Sequence, residues 1–234
     1  MILRPNTTHG QKKILLISAS RTPKDQLVAT PLYQSIQYIQ DQVKLIMHSD
    51  NTRGLPEIYN DYISFDMKQS HDIIVFVHDD VSIEDSMFYT KVYQAAQKQS
   101  LIGVAGTSEI TIGKPALWHK MSVNESHWSG AVAHPFEGGV RMTHFGTSPK
   151  ACIVLDGLFI AARLSDLLEH QLRFDTQFKF HHYDLDFCIQ AHLKGLEIST
   201  WPIWVYHCSP GLASVHDPVF QDSEDRFVRK YKKR

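Results

Sequence analysis

The sequence lacks the features of a disulfide-stabilised or membrane-spanning protein. Its three cysteines, Cys152, Cys188 and Cys208, are far apart and form no CxxC pair, so neither a disulfide framework nor a zinc knuckle is expected. No stretch reaches the ~20 consecutive apolar residues of a transmembrane helix, and no apolar leader segment stands at the N-terminus. These absences predict a protein of a reducing, cytoplasmic compartment.

A strong net charge is also lacking. The chain contains 24 Lys and Arg residues against 25 Asp and Glu residues, which gives a formal net charge of -1. There is therefore no overall positive field, and nucleic acid is not an expected partner. The exception is the basic C-terminal segment, residues 219–234, for which we predict a helix or tail. A solvated helix end is its ordinary interpretation, and peripheral contact with the inner face of a membrane is the more specific one.

Alternating strand and helix patterns occupy the first half of the chain. Short runs of aliphatic and β-branched residues predict strands, and segments with apolar residues at helical spacing lie between them. The predicted strands cover residues 13–19, 43–48, 72–77 and 101–106. This alternation predicts an α/β fold whose sheet is mostly parallel and flanked by helices.

Capping signals place two of the predicted helices. Thr30 followed by Pro31 is typical of an N-cap with proline at the first helical position, and predicts a helix that runs to about residue 41. Residues 82–85 have the spacing of a capping box, which predicts a second helix from about Glu84.

The second half of the chain is less regular. Residues 107–150 show no clean periodicity but are rich in aromatic side chains, so we predict a long irregular segment with a functional role. Strands are predicted within residues 151–156 and 198–207, and a helix from about residue 184. Because no repeat or low-complexity linker is present, residues 1–234 are predicted to form a single domain, with residues 1–11 flexible.

The most informative stretch is a hydrophobic run that ends in polar residues. Residues 73–77 are five consecutive apolar residues, typical of a strand covered on both faces, and His78, Asp79 and Asp80 follow directly. Ligands of open α/β sheets bind at the carboxyl ends of strands, so these residues predict a metal or phosphate site. A turn in which the carboxylates bind only backbone N–H groups is the structural alternative.

Four stretches, in this order, resemble the nucleotide-sugar glycosyltransferases of the GT-A fold, family 2 type. They span residues 54–60 (GLPEIYN), 76–81 (FVHDDV), 154–161 (VLDGLFIA) and 183–188 (YDLDFC). The similarity is greatest to bacterial enzymes of capsule and surface polysaccharide synthesis, and implies a Rossmann-like mixed, mostly parallel sheet. Two departures stand out, since His78 and Tyr183 occupy positions where the commoner patterns have Asp and Glu.

The resemblance implies transfer of a sugar from a nucleoside diphosphate donor, by default a UDP-sugar, to a saccharide or lipid-linked acceptor. Mn²⁺ or Mg²⁺ would be the cofactor, with Asp80 and His207 as metal ligands. Asp184 would be the general base of a single in-line displacement that inverts the anomeric carbon. The expected donor and nucleotide contacts are Ser18, Arg21, Asp50, Asn60, His78 and Asp79. The expected acceptor or donor-sugar contacts are Asp156, Gly157, Trp128 and Asp186.

Three other functions remain open at this stage. A nucleotidyltransferase would use the same sheet edge, although residues 17–24 contain no glycine for a phosphate loop. A metallohydrolase would be built on His181, His182, Asp184 and His207, but no HExxH motif is present. A non-catalytic sugar-binding module would use Trp118 and Trp128.

Overall fold

Two β-sheets flanked by helices make up the computed structural model, which describes residues 12–209 and 215–232. The predicted flexible segment, residues 1–11, lies outside the described residues. The strands are β1 Ile14–Ala19, β2 Val43–His48, β3 Ile73–Val77, β4 Val81–Ile83, β5 Leu101–Gly103, β6 Ala105–Thr107, β7 Trp128–Phe136, β8 Gly139–Gly146, β9 Lys150–Ala151, β10 Val154–Leu155, β11 Phe159–Arg163, β12 Ile198–Thr200 and β13 Val205–His207. The helices are α1 Pro31–Ser35, α2 Leu55–Asp61, α3 Phe65–Ser70, α4 Phe88–Ala96, α5 Trp118–Met121, α6 Leu164–Glu169, α7 Tyr183–Leu193 and α8 Pro218–Lys232.

The first sheet has the order β2-β1-β3-β11-β5-β12-β9. Three of its pairs are parallel and three are antiparallel, so the mixed α/β prediction is confirmed but the predicted parallel majority is wrong. Two of the three antiparallel pairs involve β11, which runs antiparallel to both β3 and β5. The direction of a strand depends on the end of the sheet at which the preceding connection returns, and its own residues do not encode this.

The second sheet has the order β10-β6-β7-β13-β4, with β8 paired to β7. Its long β7–β8 hairpin lies within residues 107–150, which were wrongly predicted to be irregular. Most of β8 is exposed, so its side chains do not alternate between a buried and a solvated face. The hairpin therefore leaves no period-2 signal in the sequence.

Local capping signals had mixed outcomes. Thr30 does cap α1 and accepts a hydrogen bond from the backbone N–H of Tyr33, although α1 ends at Ser35 and only a 3-10 turn continues it. Ser82 starts no helix: it lies in β4, which pairs with β13, and α4 begins at Phe88. Strand pairing across the fold outweighed the local helix signal.

The central strand is covered on both faces, as predicted. Every residue of β3 is at most 1% exposed, and the strand belongs to one hydrophobic cluster with residues of both sheets. Among the described helices, none has the length and apolar content needed to cross a bilayer.

The described part of the basic C-terminal segment is helical and belongs to α8, and one of its cations contacts the interior. Lys230 Nζ lies 2.6 Å from Asp186 Oδ1, and the Tyr231 hydroxyl donates to the same oxygen at 2.6 Å. Asp186 is 0% exposed, so its carboxylate depends on these partners. Arg226, in contrast, pairs with Asp222 on the surface.

We expect Lys230→Met to lower the free energy of unfolding by about 2 kcal/mol, because the buried Asp186 carboxylate loses its cation and Asp175, which Lys230 Nζ also contacts at 2.7 Å, loses its partner. Arg226→Met is the matched control on the same helix and should change stability little, since exposed ion pairs contribute little. Urea unfolding measures both. Equal losses in the two variants would contradict the role of Asp186 as an anchor of α8.

Candidate active site

One edge of the first sheet gathers the polar strand ends. β1, β2 and β3 are mutually parallel, so their carboxyl ends meet there. β11 is antiparallel to β3, which brings its amino end to the same edge, and the backbone N–H of His78 donates to the carbonyl of Leu158 at 3.1 Å. Asp156 and Gly157 reach this edge because β11 runs in the direction that was not predicted.

Three potential metal ligands meet at this edge. His78 and Asp80 lie on the turn after β3, and His207 ends β13. Pairing of β13 with β4 sets His207 opposite Val81, and the N–H of Cys208 donates to the carbonyl of Asp80 at 2.8 Å. Ligand atoms of the three side chains lie within 4.8 Å of one another, and they are the one such group in the described part of the chain.

The unpaired atoms of this group fit a cation. Asp80 Oδ1 and His207 Nδ1 are buried and have no hydrogen-bond partner among the residues that the structure describes, a costly situation for polar atoms unless a ligand binds them. Asp80 Oδ2 lies 3.3 Å from His207 Nε2. Two imidazoles and one carboxylate are ligands suited to a divalent transition metal.

Mutual contacts set the protonation of these three side chains. Burial lowers the pKa of His207, but its hydrogen bond to Asp80 and the charge of that carboxylate outweigh burial and raise it. Burial opposes ionisation of Asp80, yet His207 and then His78 hold its pKa below the ordinary value. Burial lowers the pKa of His78. Asp80 is therefore charged and His78 neutral at neutral pH, whereas a cation that binds His207 has to displace the proton that the raised pKa favours.

Asp184 has a pKa close to neutrality. Burial raises the pKa to about 7, and the negative charge of Asp156 adds to this. The backbone N–H of Gly157 donates to Asp184 Oδ2 at 2.9 Å, and this bond and that from Leu185 oppose the rise. A position at the start of a helix such as α7 by itself lowers the pKa of a carboxyl group, but burial outweighs this effect at Asp184. A carboxylate that titrates near neutrality is suited to general base catalysis.

Gly157 allows the close packing around Asp184. A Cβ at this position would lie 2.8 Å from Asp184 Cβ and 2.7 Å from the Tyr183 hydroxyl, so any side chain would displace one of them. Next to it, Asp156 accepts hydrogen bonds from the indole N–H of Trp118 at 2.8 Å and from the backbone of Leu158 at 3.1 Å. Sequence reasoning did not identify Trp118 as the partner of Asp156, since no motif joins them.

Only some of the residues predicted to contact the nucleotide lie where a ligand could reach them. The Ser20 hydroxyl donates to the Asp79 carboxylate, a contact that the sequence did not predict, whereas Ser18 is 0% exposed and cannot touch a ligand. The Arg21 guanidinium lies 5.8 Å from the ring centroid of Phe180, which stacks on His78 at 6.3 Å. Asp50 is exposed at the end of β2, where its N–H donates to the carbonyl of Thr22.

Two predicted contacts are structural instead. The Asn60 amide bonds to both the carbonyl and the N–H of Phe174, at 2.8 and 2.9 Å, so it holds a loop rather than a ligand. Asp186 is buried under α8, as described above, and cannot contact a sugar. Trp128 is half-buried, with its ring centroid 6.0 Å from that of Trp118.

The residue sets predicted for the hydrolase and for the sugar-binding module can be compared with the same contacts. His181, His182, Asp184 and His207 do not form a ligand group among the described residues, and His182 Nδ1 lies 2.9 Å from Ser223 Oγ. Trp118 is 6% exposed and its N–H is already bonded, so it offers no open stacking surface. Neither the hydrolase set nor the tryptophan pair is therefore assembled as predicted.

Comparison with known proteins gives limited information. No protein-family model and no curated protein matches the chain. Similar solved structures include A197 from STIV (9% identity, 88% of this chain and 99% of that chain, TM-score 0.48). Others are S. aureus TarS 1–349 (14% identity, 94% and 73%, TM-score 0.48) and the catalytic domain of Drosophila β1,4-galactosyltransferase 7 in complex with xylobiose (11% identity, 80% and 64%, TM-score 0.43). These TM-scores are too low to assign a function.

We expect Asp184 to titrate at about 7 in the metal-free protein. Asp156→Asn should move this pKa downward, because it removes a negative charge that disfavours ionisation of Asp184. Carbon-13 NMR titration of the aspartate carboxyl groups measures both values. Asp66→Asn, on the exposed surface of α3, is the matched control and should leave the titration unchanged. An Asp184 that titrates near ~4 in the unmodified protein would contradict the burial argument.

Proposed function

We propose that this chain is a metal-dependent glycosyltransferase, which moves a sugar from a nucleoside diphosphate donor to a hydroxyl of a saccharide or lipid-linked acceptor. The observation that carries the proposal is a cation-ligand group and a near-neutral carboxylate at one sheet edge. Asp156 lies near both groups, because its negative charge raises the pKa of His207 and that of Asp184. The hydroxyl oxygen of Tyr183, the residue directly before Asp184, lies 2.8 Å from Nε2 of His78.

The leaving diphosphate needs positive charge. A divalent cation held by Asp80, His207 and His78 would supply Lewis-acid stabilisation of the developing negative charge. Two imidazoles beside one carboxylate favour Mn²⁺ over Mg²⁺, which prefers oxygen ligands. Asp80 is the negatively charged residue of the set, so removal of its carboxylate should weaken cation binding the most.

The acceptor hydroxyl needs a base. Asp184 would take its proton onto a carboxylate oxygen as the hydroxyl oxygen attacks the anomeric carbon. The backbone N–H of Gly157 holds the Oδ2 oxygen of that carboxylate, which fixes its orientation. An aspartate base opposite a departing diphosphate implies a single displacement with inversion, and a product that retains the donor's configuration would contradict it.

The remaining polar residues are assigned to the donor and the acceptor. Asp79, which accepts a hydrogen bond from the Ser20 hydroxyl, would accept hydrogen bonds from the ribose, and Arg21 and Asp50 would be further donor contacts. Asp156 and Trp128 would contact the acceptor or the donor sugar. UDP as the carrier, surface polysaccharide as the product and a cytoplasmic, peripheral location follow from the motif resemblance alone.

A metallohydrolase is the second candidate, because two imidazoles and a carboxylate also suit Zn²⁺. Its site would be His78, Asp80 and His207 rather than the set predicted from sequence. Nucleotide affinity separates the two functions. Zinc that copurifies with a protein lacking affinity for nucleotides would favour the hydrolase.

The decisive experiment measures donor binding and turnover separately across a panel of nucleotide sugars with Mn²⁺. Asp184→Asn should lower the turnover of the active donor by at least ~100-fold with donor affinity nearly unchanged, because it removes only the base. Asp80→Ala should abolish the Mn²⁺-dependent part of donor binding in calorimetry. Asp66→Asn is again the control for loss of one carboxylate. Normal turnover in Asp184→Asn would refute the base assignment.

A further inference from the structure

The hydroxyl of Tyr183 is enclosed between a candidate metal ligand and the backbone beside the candidate base. It lies 2.8 Å from His78 Nε2 and 3.0 Å from the carbonyl oxygen of Gly157. Tyr183 is 3% exposed, and Gly157 is buried as well. The two bonds are therefore shielded from water, and their directions are fixed by the number of protons available.

The hydroxyl has one hydrogen to donate. The Gly157 carbonyl can only accept, and it has no other hydrogen-bond donor among the described residues, so the tyrosine hydrogen points to it. The hydroxyl oxygen must then accept from His78, which places the imidazole hydrogen on Nε2. A neutral imidazole carries one N–H, so Nδ1 of His78 keeps its lone pair, and no described residue bonds to it.

The geometry points to Tyr183 as the residue that fixes His78 in the Nε2–H tautomer and so presents Nδ1 to the cation bound by Asp80 and His207. Histidine ligands commonly donate their other ring N–H to an oxygen, which sets both the tautomer and the ring orientation. Tyr183 is thus a positioning residue, and this inference rests on the metal site of the proposed function.

The test starts with the unmodified, metal-free protein. Long-range proton–nitrogen NMR spectra of nitrogen-15 histidine-labelled protein report which ring nitrogen of His78 carries hydrogen, with His78→Gln used to assign the signal. We expect Nε2–H in the unmodified protein and a mixture of tautomers in Tyr183→Phe. Hydrogen on Nδ1 in the unmodified protein would overturn the inference.

Mn²⁺ affinity is the second measurement, made by electron paramagnetic resonance of the free ion. Tyr183→Phe should weaken binding by roughly 10–100-fold. Tyr62→Phe is the matched control, because it removes a tyrosine–histidine bond of the same 2.8 Å length, to His48 at the end of β2, and should leave affinity unchanged. Equal affinity in Tyr183→Phe and the unmodified protein overturns the role of Tyr183. An unmodified protein that binds no Mn²⁺ contradicts the proposed metal site itself.

Discussion

The antiparallel pairing of β4 with β13 is the interaction on which the candidate site depends. It sets His207 opposite Val81 and thereby beside Asp80, the residue just before β4. The backbone bond from Cys208 to the carbonyl of Asp80 extends the pairing by one step. Without this short ladder, a histidine far along the chain would have no fixed relation to the acidic turn. The same pairing converts residues predicted to open a helix into a strand.

Burial is the second physical constraint, and it acts differently on the two carboxylates. Asp80 stays ionised because two imidazoles offset the cost of burying its charge. Asp184 has no cation among the causes that set its pKa, and the nearby charge of Asp156 adds to the effect of burial. One fold therefore keeps an ionised carboxylate and a carboxyl group with a near-neutral pKa at the same edge of a sheet. A difference of this kind is what separates a binding role from an acid–base role.

The C-terminal helix α8 bonds to two segments that carry candidate site residues. Glu224 accepts a hydrogen bond from the backbone N–H of Ala116, near Trp118, whose indole in turn bonds to Asp156. Ser223 bonds to His182 at the start of α7, and Tyr231 bonds to Asp186 one turn further along. A segment that the sequence marked only as basic thus contacts both the loop that carries Trp118 and the helix that carries Asp184.

The sequence by itself determined the elements whose signals are local. The central strand and the Thr30 cap follow from a hydrophobic run and a capping residue, which act within a few positions of the chain. It also made Asp80, His207 and Asp184 candidate site residues, because polar residues at strand and helix ends are visible without knowing the fold.

Only the tertiary structure decided which of these residues meet. The direction of β11, the β7–β8 hairpin and the choice of Ser20 over Ser18 depend on contacts between distant segments. Asp186 illustrates the reason: as part of the same acidic motif as Asp184 it looked equally available for chemistry, yet α8 covers it. Sequence spacing fixes which face of a helix a residue occupies, whereas burial depends on what packs against that face.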